Sequence, residues 1–185
     1  MSTPAIRVHL WTREEYDRMV EAGVFPDGSR VQLIDGEIIE MPPQGSFHAT
    51  AISLVEDALR RACPEGFYLR AQMPVALDIR SEPEPDLAVV RGSPRDYTHT
   101  HPTTMELAVE VADATLSFDR GRKRALYARN RVPEYWIVNV PDACLEVHRE
   151  PEGSDYRAVQ ILRPPASVTP LACPAVAIPI ADLLP

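Results

Sequence analysis

Lysine is almost absent: of the 19 basic residues among 185, 18 are arginine and one is lysine, Lys123. Cysteine is scarce too. Cys63, Cys144 and Cys173 are odd in number, far apart and fit no metal-ligand spacing, so they are expected to be reduced thiols rather than a zinc site. No apolar run reaches the roughly 18 residues that span a bilayer. The stretch from Met1 to Trp11 lacks the basic-then-apolar pattern of a secretory leader. A soluble, cytoplasmic protein with no membrane partner is expected. Positive charge is in deficit, with a formal net charge of -8. Proteins that coat nucleic acid are usually basic, which counts against that class. An enzyme with a locally basic patch is still allowed, because the field in a cleft depends on nearby charges. Internal repeats and low-complexity blocks are also missing.

What remains is the composition of one ordinary globular domain, 45 % hydrophobic and 25 % charged. A chain of this length buries a substantial core without disulfide staples. Its 19 prolines fall between predicted elements and in the tail, where they stiffen turns.

Local patterns predict the elements. Thr12 to Glu15 reads as a capping box, followed by a short helix carrying Tyr16, Met19 and Val20. Arg30 to Ile34 and Glu37 to Met41 are β-rich runs joined by Asp35-Gly36, a strong hairpin signal. Ser46 to Ala62 is a helix, with Ser46 its expected N-cap and His48, Ile52, Val55 and Leu59 along one face. Strands are expected at Phe67 to Ala71, Pro74 to Ile79, Asp86 to Val90, Met105 to Ala112, Glu134 to Val140, Cys144 to Arg149 and Tyr156 to Leu162. A helix is expected over Ser117 to Asn130, and the apolar tail from Pro164 should pack on the domain. Two strands separated by a helix imply a crossover in the sheet.

Three residues stand out chemically. Asp86 opens an apolar strand, and Glu110 sits between valines on another. Carboxylates in half-buried strands are costly unless paired or ligating a cation, and two on neighbouring strands suit Mg²⁺. Lys123 is the third. Where only charge is needed, this arginine-rich chain uses arginine; a lysine offers a compact charge that burial can tune. Asp119, Lys123 and Tyr127 recur every four residues, so Asp119 could pair with Lys123. Arg120, Arg122 and Arg124 make this helix the most basic stretch, either a phosphate-contacting face or a solvated one. His48 reads either as a satisfied core histidine or as a contact of the site. His99 and His101 read as an exposed loop, and Tyr135 and Trp136 as core.

The segments RVQLIDGEIIEMPP (30 to 43), SEPEPDLAVV (81 to 90) and LAVEVADATLSFDRGRKRALYARNRVPEYWIV (107 to 138), with His48 between the first two, resemble the Uma-type restriction endonucleases of the PD-(D/E)XK nuclease superfamily. The similarity covers roughly residues 10 to 184. It implies an α/β (α+β) fold: a restriction-endonuclease-like mixed central sheet flanked by helices, with an N-terminal helix and β-hairpin, in a single domain over 1–185. It implies that Asp86, Glu110 and the backbone carbonyl of Val111 ligate Mg²⁺, with Mn²⁺ as a substitute. Lys123 would act on the attacking water or the phosphoryl charge, from the next helix rather than two residues after the strand acid, where Ala112 stands. Gln32 departs from the glutamate usual in the family; it keeps an acceptor oxygen but loses the charge. Gln32, His48 and Asp119 are the expected supporting residues. The expected partner is nucleic acid, DNA ahead of RNA, with a homodimer or higher homo-oligomer as a further expectation. The competing reading is a catalytically weak or inactive nucleic-acid-binding or interaction module on the same scaffold.

Overall fold

The computed structural model describes residues 7–185. The chain opens with α1 (Arg13–Glu21), whose N-terminus carries the expected capping box: Thr12 Oγ1 accepts from Glu15 N–H, and Glu15 Oε2 accepts from Thr12 N–H at 2.8 Å. The hairpin follows as β1 (Val31–Ile34) and β2 (Glu37–Glu40), paired antiparallel with Ile34 facing Glu37. Its turn residues Asp35 and Gly36 have φ of 56° and 79°, the left-handed pair that matches strand twist. A side chain at Gly36 would meet Leu10 Cβ at 2.7 Å, so only glycine fits.

Helix α2 (Ser46–Ala62) comes next, and its N-cap is Gly45 rather than Ser46. The main sheet then builds from β3 (Phe67–Ala71), β4 (Leu87–Arg91), β5 (Leu107–Ala112), β6 (Glu134–Asn139), β7 (Cys144–Glu152) and β8 (Asp155–Leu162). The six strands lie in sequence order. All neighbours are antiparallel except β5 and β6, which run parallel because a helical crossover joins them. The fold is thus the expected mixed sheet with an N-terminal helix and hairpin.

Two apolar layers cover the sheet. On one face α2 sets Ile52, Val55 and Leu59 against Leu107, Val109 and Val111 of β5, and the C-terminal Ile178, Ile180 and Leu183 close that layer. Ala108 and Ala112, from the alternate positions of β5, face Leu126 and Tyr127 on the other side. The tail therefore packs on the domain, through a small β9 (Ser167–Val168) and β10 (Ile178–Pro179) pair.

Three expectations are corrected. Pro74 to Ile79 forms no strand: Val75 and Ala76 donate to the carbonyls of Pro83 and Pro102, two separate segments, so no ladder can run along it. The helix expected over Ser117 to Asn130 is compound. It comprises α3 (Leu116–Phe118), a π-helical stretch at Asp119–Lys123, and α4 (Arg124–Arg129). Cys63 and Cys173 are joined in a disulfide, 110 residues apart in sequence, and only Cys144 is a free thiol. Spacing alone could not bring Cys173 to the end of α2; the packing of the tail does so.

Candidate active site

Strand register creates the site. Leu87 faces Val109 and Ala88 faces Ala108, so the ladder continued one step sets Asp86 opposite Glu110. Both carboxylates line one cleft, with His48, Glu84 and Asp119. Asp86 is 7 % exposed and Glu110 5 %. Their surroundings differ. Asp86 Oδ2 accepts the Val111 N–H at 2.8 Å, and Oδ1 lies 3.5 Å from His48 Nε2 and 3.4 Å from Gln72 Nε2. Glu110 Oε1 accepts from Lys123 Nζ at 2.8 Å and from Tyr127 O–H at 2.6 Å.

These contacts drive the two acids apart. Burial works against ionisation of Asp86, yet the His48 and Val111 hydrogen bonds and the charges of His48 and Lys123 outweigh it and hold its carboxyl below the usual range. Glu110 is almost wholly buried, and burial pushes its carboxyl up despite Lys123. His48 is shifted up, chiefly by its hydrogen bond to Asp86. Asp119 is pushed up to about 7 by burial and by the charge of Glu110. Pairs of titratable groups displaced in opposite directions are a mark of functional sites.

Lys123 reaches Glu110 from the π-helical stretch of the crossover. Asp119 and Lys123 are both buried there, and π-helical insertions of this kind recur at functional sites. Asp119 does not pair with Lys123 as the spacing suggested; its Oδ2 accepts from Thr115 Oγ1 at 2.7 Å.

Gln32 is buried, and its Oε1 accepts the N–H of the cleft residue Glu84 at 3.2 Å. Its Nε2 is buried without a partner among the described residues. The Gln32 position thus holds the backbone of Glu84, a cleft residue absent from the sequence-based candidates. The alternation of acid and proline over Glu82-Pro83-Glu84-Pro85 was the available signal, since proline fixes the backbone that carries Glu84. Burial raises the Glu84 carboxyl, with Arg30 and Lys123 opposing.

The three arginines expected to contact nucleic acid are engaged within the chain. Arg120 holds Glu146 at 2.5 Å, Arg122 holds Glu37 at 2.6 Å, and Arg124 holds Asp155 at 3.3 Å. His99 and His101 are exposed and lie outside the cleft. Tyr135 and Trp136 are fully buried.

Of the carboxylates lining the cleft, Asp86 and Glu110 stand opposite each other, and Glu110 has its second oxygen free of any hydrogen bond among the described residues. Among those residues no three His, Cys, Asp or Glu side chains form a cage. That suits Mg²⁺, which takes one or two carboxylates and retains waters, and it does not suit structural zinc.

The six-stranded mixed sheet with its N-terminal helix and hairpin is a restriction-endonuclease-like fold. The chain belongs to the Uma2 family, described as "Putative restriction endonuclease", whose model matches residues 13–181. Among solved structures it is similar to a protein described as a "putative nuclease belonging to DUF820" from Anabaena variabilis. The TM-score is 0.73 at 17 % identity, covering 93 % of this chain and 96 % of that one. That likeness bears on the fold. No curated protein matches the chain. No helix among the described residues is long and apolar enough to cross a membrane.

Proposed function

We propose that the protein is a metal-dependent endonuclease that hydrolyses phosphodiester bonds in nucleic acid, DNA ahead of RNA, with Asp86, Glu110 and Lys123 as its catalytic residues. The observation that carries this reading is the juxtaposition of two buried carboxylates, one held low and one pushed high, with the chain's single lysine on the second. Asp86 and Glu110, with the Val111 carbonyl, would hold Mg²⁺, and Mn²⁺ would substitute. The ion, when bound, supplies Lewis-acid charge at the scissile phosphate.

Around it the side chains have separate tasks. Lys123 offsets negative charge developing on the phosphoryl oxygens, and its fixed position means no reorganisation at the moment of reaction. Tyr127 and Glu110 hold the ammonium in place. His48 orients Asp86 from α2. Asp119 lines the same cleft beside Thr115, and Gln32 fixes the backbone that carries Glu84.

The test is cleavage of plasmid and single-stranded nucleic acid in Mg²⁺ or Mn²⁺, with Asp86→Ala and Lys123→Ala beside the wild type. Cleavage by the wild type alone, abolished by EDTA, is the expected result. An inert wild type, or variants that cut equally well, would overturn it. The second reading, a binding module without catalysis, draws on the uncharged Gln32 in place of the family's glutamate. It predicts nucleic-acid binding with no cleavage in either metal, and recovery of cleavage in Gln32→Glu.

A further inference from the structure

The cleft is lined by five carboxylates, those of Glu84, Asp86, Glu110, Asp113 and Asp119. Such a surface repels a polyanion, so a bound ion needs help from fixed positive charge at the mouth. Arg30 lines this cleft and also a second cavity bounded by Tyr16, Phe25 and Ser29, with Glu84 shared between the two. Its backbone is fixed at the base of the hairpin, where its carbonyl accepts from Met41 N–H at 2.8 Å.

Arg30 is the arginine that lines this cleft, and unlike Arg120, Arg122 and Arg124 it has no ion pair among the described residues. Its side chain is half-buried, yet among the described residues no carboxylate lies within ion-pair distance of its guanidinium. Arg120, Arg122 and Arg124 are each bound to an acid of this chain, so engaging a phosphate would break an existing pair. The Arg30 fork has no ion pair to break, although Glu84 feels its charge, and a phosphate offers it two charge-assisted hydrogen bonds.

We propose that Arg30 grips a backbone phosphate of the nucleic-acid strand beside the scissile one, at the wall that the cleft shares with the second cavity. The assignment rests on the nuclease reading above. Arg30 is a positioning residue, and the basic face of the crossover helix is structural.

The test is equilibrium binding of labelled single-stranded and duplex DNA oligonucleotides over a range of salt, with Ca²⁺ replacing Mg²⁺ to slow turnover. Wild type is compared with Arg30→Gln, Arg30→Lys, Arg122→Ala and Arg124→Ala, and thermal melting verifies that each is folded. Loss of one phosphate contact should lower the slope of log affinity against log salt by about one and weaken binding about tenfold in Arg30→Gln. Arg30→Lys should keep most of the slope, and the Arg122 and Arg124 variants should match wild type. In cleavage, Arg30→Gln should raise KM far more than it lowers kcat.

An unchanged slope in Arg30→Gln would overturn the assignment while leaving the nuclease reading intact if wild type still cuts. An equal loss in Arg122→Ala or Arg124→Ala would overturn it in favour of the helix. Failure of wild type to bind either oligonucleotide would overturn both readings.

Discussion

Lys123 Nζ lies 2.8 Å from Glu110 Oε1, across 13 residues of chain, and both groups are almost wholly buried. The pair is held from a third side by Tyr127, whose hydroxyl donates to the same oxygen at 2.6 Å. A buried charge left without its partner is among the costlier defects a fold can carry.

Removing the lysine should therefore destabilise the protein as well as disable the site. Lys123→Met is expected to lose about 3 kcal/mol, towards the lower end of the range for broken buried pairs because Glu110 can take up a proton. Glu110→Gln with Lys123→Met should cost clearly less than the sum of the single changes. A double-mutant cycle by urea denaturation measures this, and strict additivity would mean the two groups do not interact.

Glu82 is pushed up to about 7 by burial and the charge of Asp17, with Arg13 opposing. Its folded value stands above its ordinary 4.5, so the folded state binds the extra proton between the two. Stability from this group is complete below about pH 4.5 and falls as pH rises towards 7. Glu82→Gln should flatten that decline by up to roughly 3 kcal/mol. Chemical denaturation at acidic and alkaline pH reads it, and an unaltered pH profile in the variant would refute the assignment.

His148 has the opposite sign. Burial among Tyr135 and Tyr156 lowers it to about 4, with both ring nitrogens lacking hydrogen-bond partners among the described residues. The unfolded chain binds the proton first, so stability is complete above about pH 6.5 and is lost as pH falls towards 4. His148→Phe, which keeps the aromatic packing, should melt with less pH dependence across that window. A variant as acid-sensitive as wild type would place the effect elsewhere.

The Cys63–Cys173 disulfide closes a long loop and ties the end of α2 to the C-terminal segment. Reduction, or Cys63→Ser, should cost about 2–4 kcal/mol, mostly by freeing the unfolded chain. Alkylation under denaturing, non-reducing conditions should label only Cys144, and all three cysteines after reduction. In a reducing cytoplasm the bond would be open, so denaturation with and without reductant gives the stability relevant to each condition.

Much of this was legible along the chain. Thr12 and Glu15 form their capping box from contacts three residues apart, and Asp35-Gly36 forms its turn from two backbone conformations. The alternation of β5 separated Leu107, Val109 and Val111 from Ala108 and Ala112, and these do fall on opposite faces of the sheet. Glu110 was thereby assigned its side of the strand. Met105 packs in the opposite layer from Leu107, Val109 and Val111, although it shares their odd-numbered spacing, because it precedes the strand. Pro74 to Ile79 forms no strand because Val75 and Ala76 are buried against two separate segments and Ile79 is exposed, so no ladder runs along it.

Local sequence thus determined the elements whose driving forces are local: caps, turns and the two periodicities. It also supplied the paired acids and the lone lysine as chemistry in search of a place. Tertiary structure alone decided which groups meet. The β4–β5 register faced Asp86 with Glu110, and the π-helical turn delivered Lys123 to the second of them. Packing of the tail brought Cys173 to Cys63, and distant acids engaged the helix arginines while leaving Arg30 at the cleft without an ion-pair partner among the described residues. Ion pairing and disulfide formation depend on distances of a few ångströms between segments remote in sequence, and only the packed core fixes those distances.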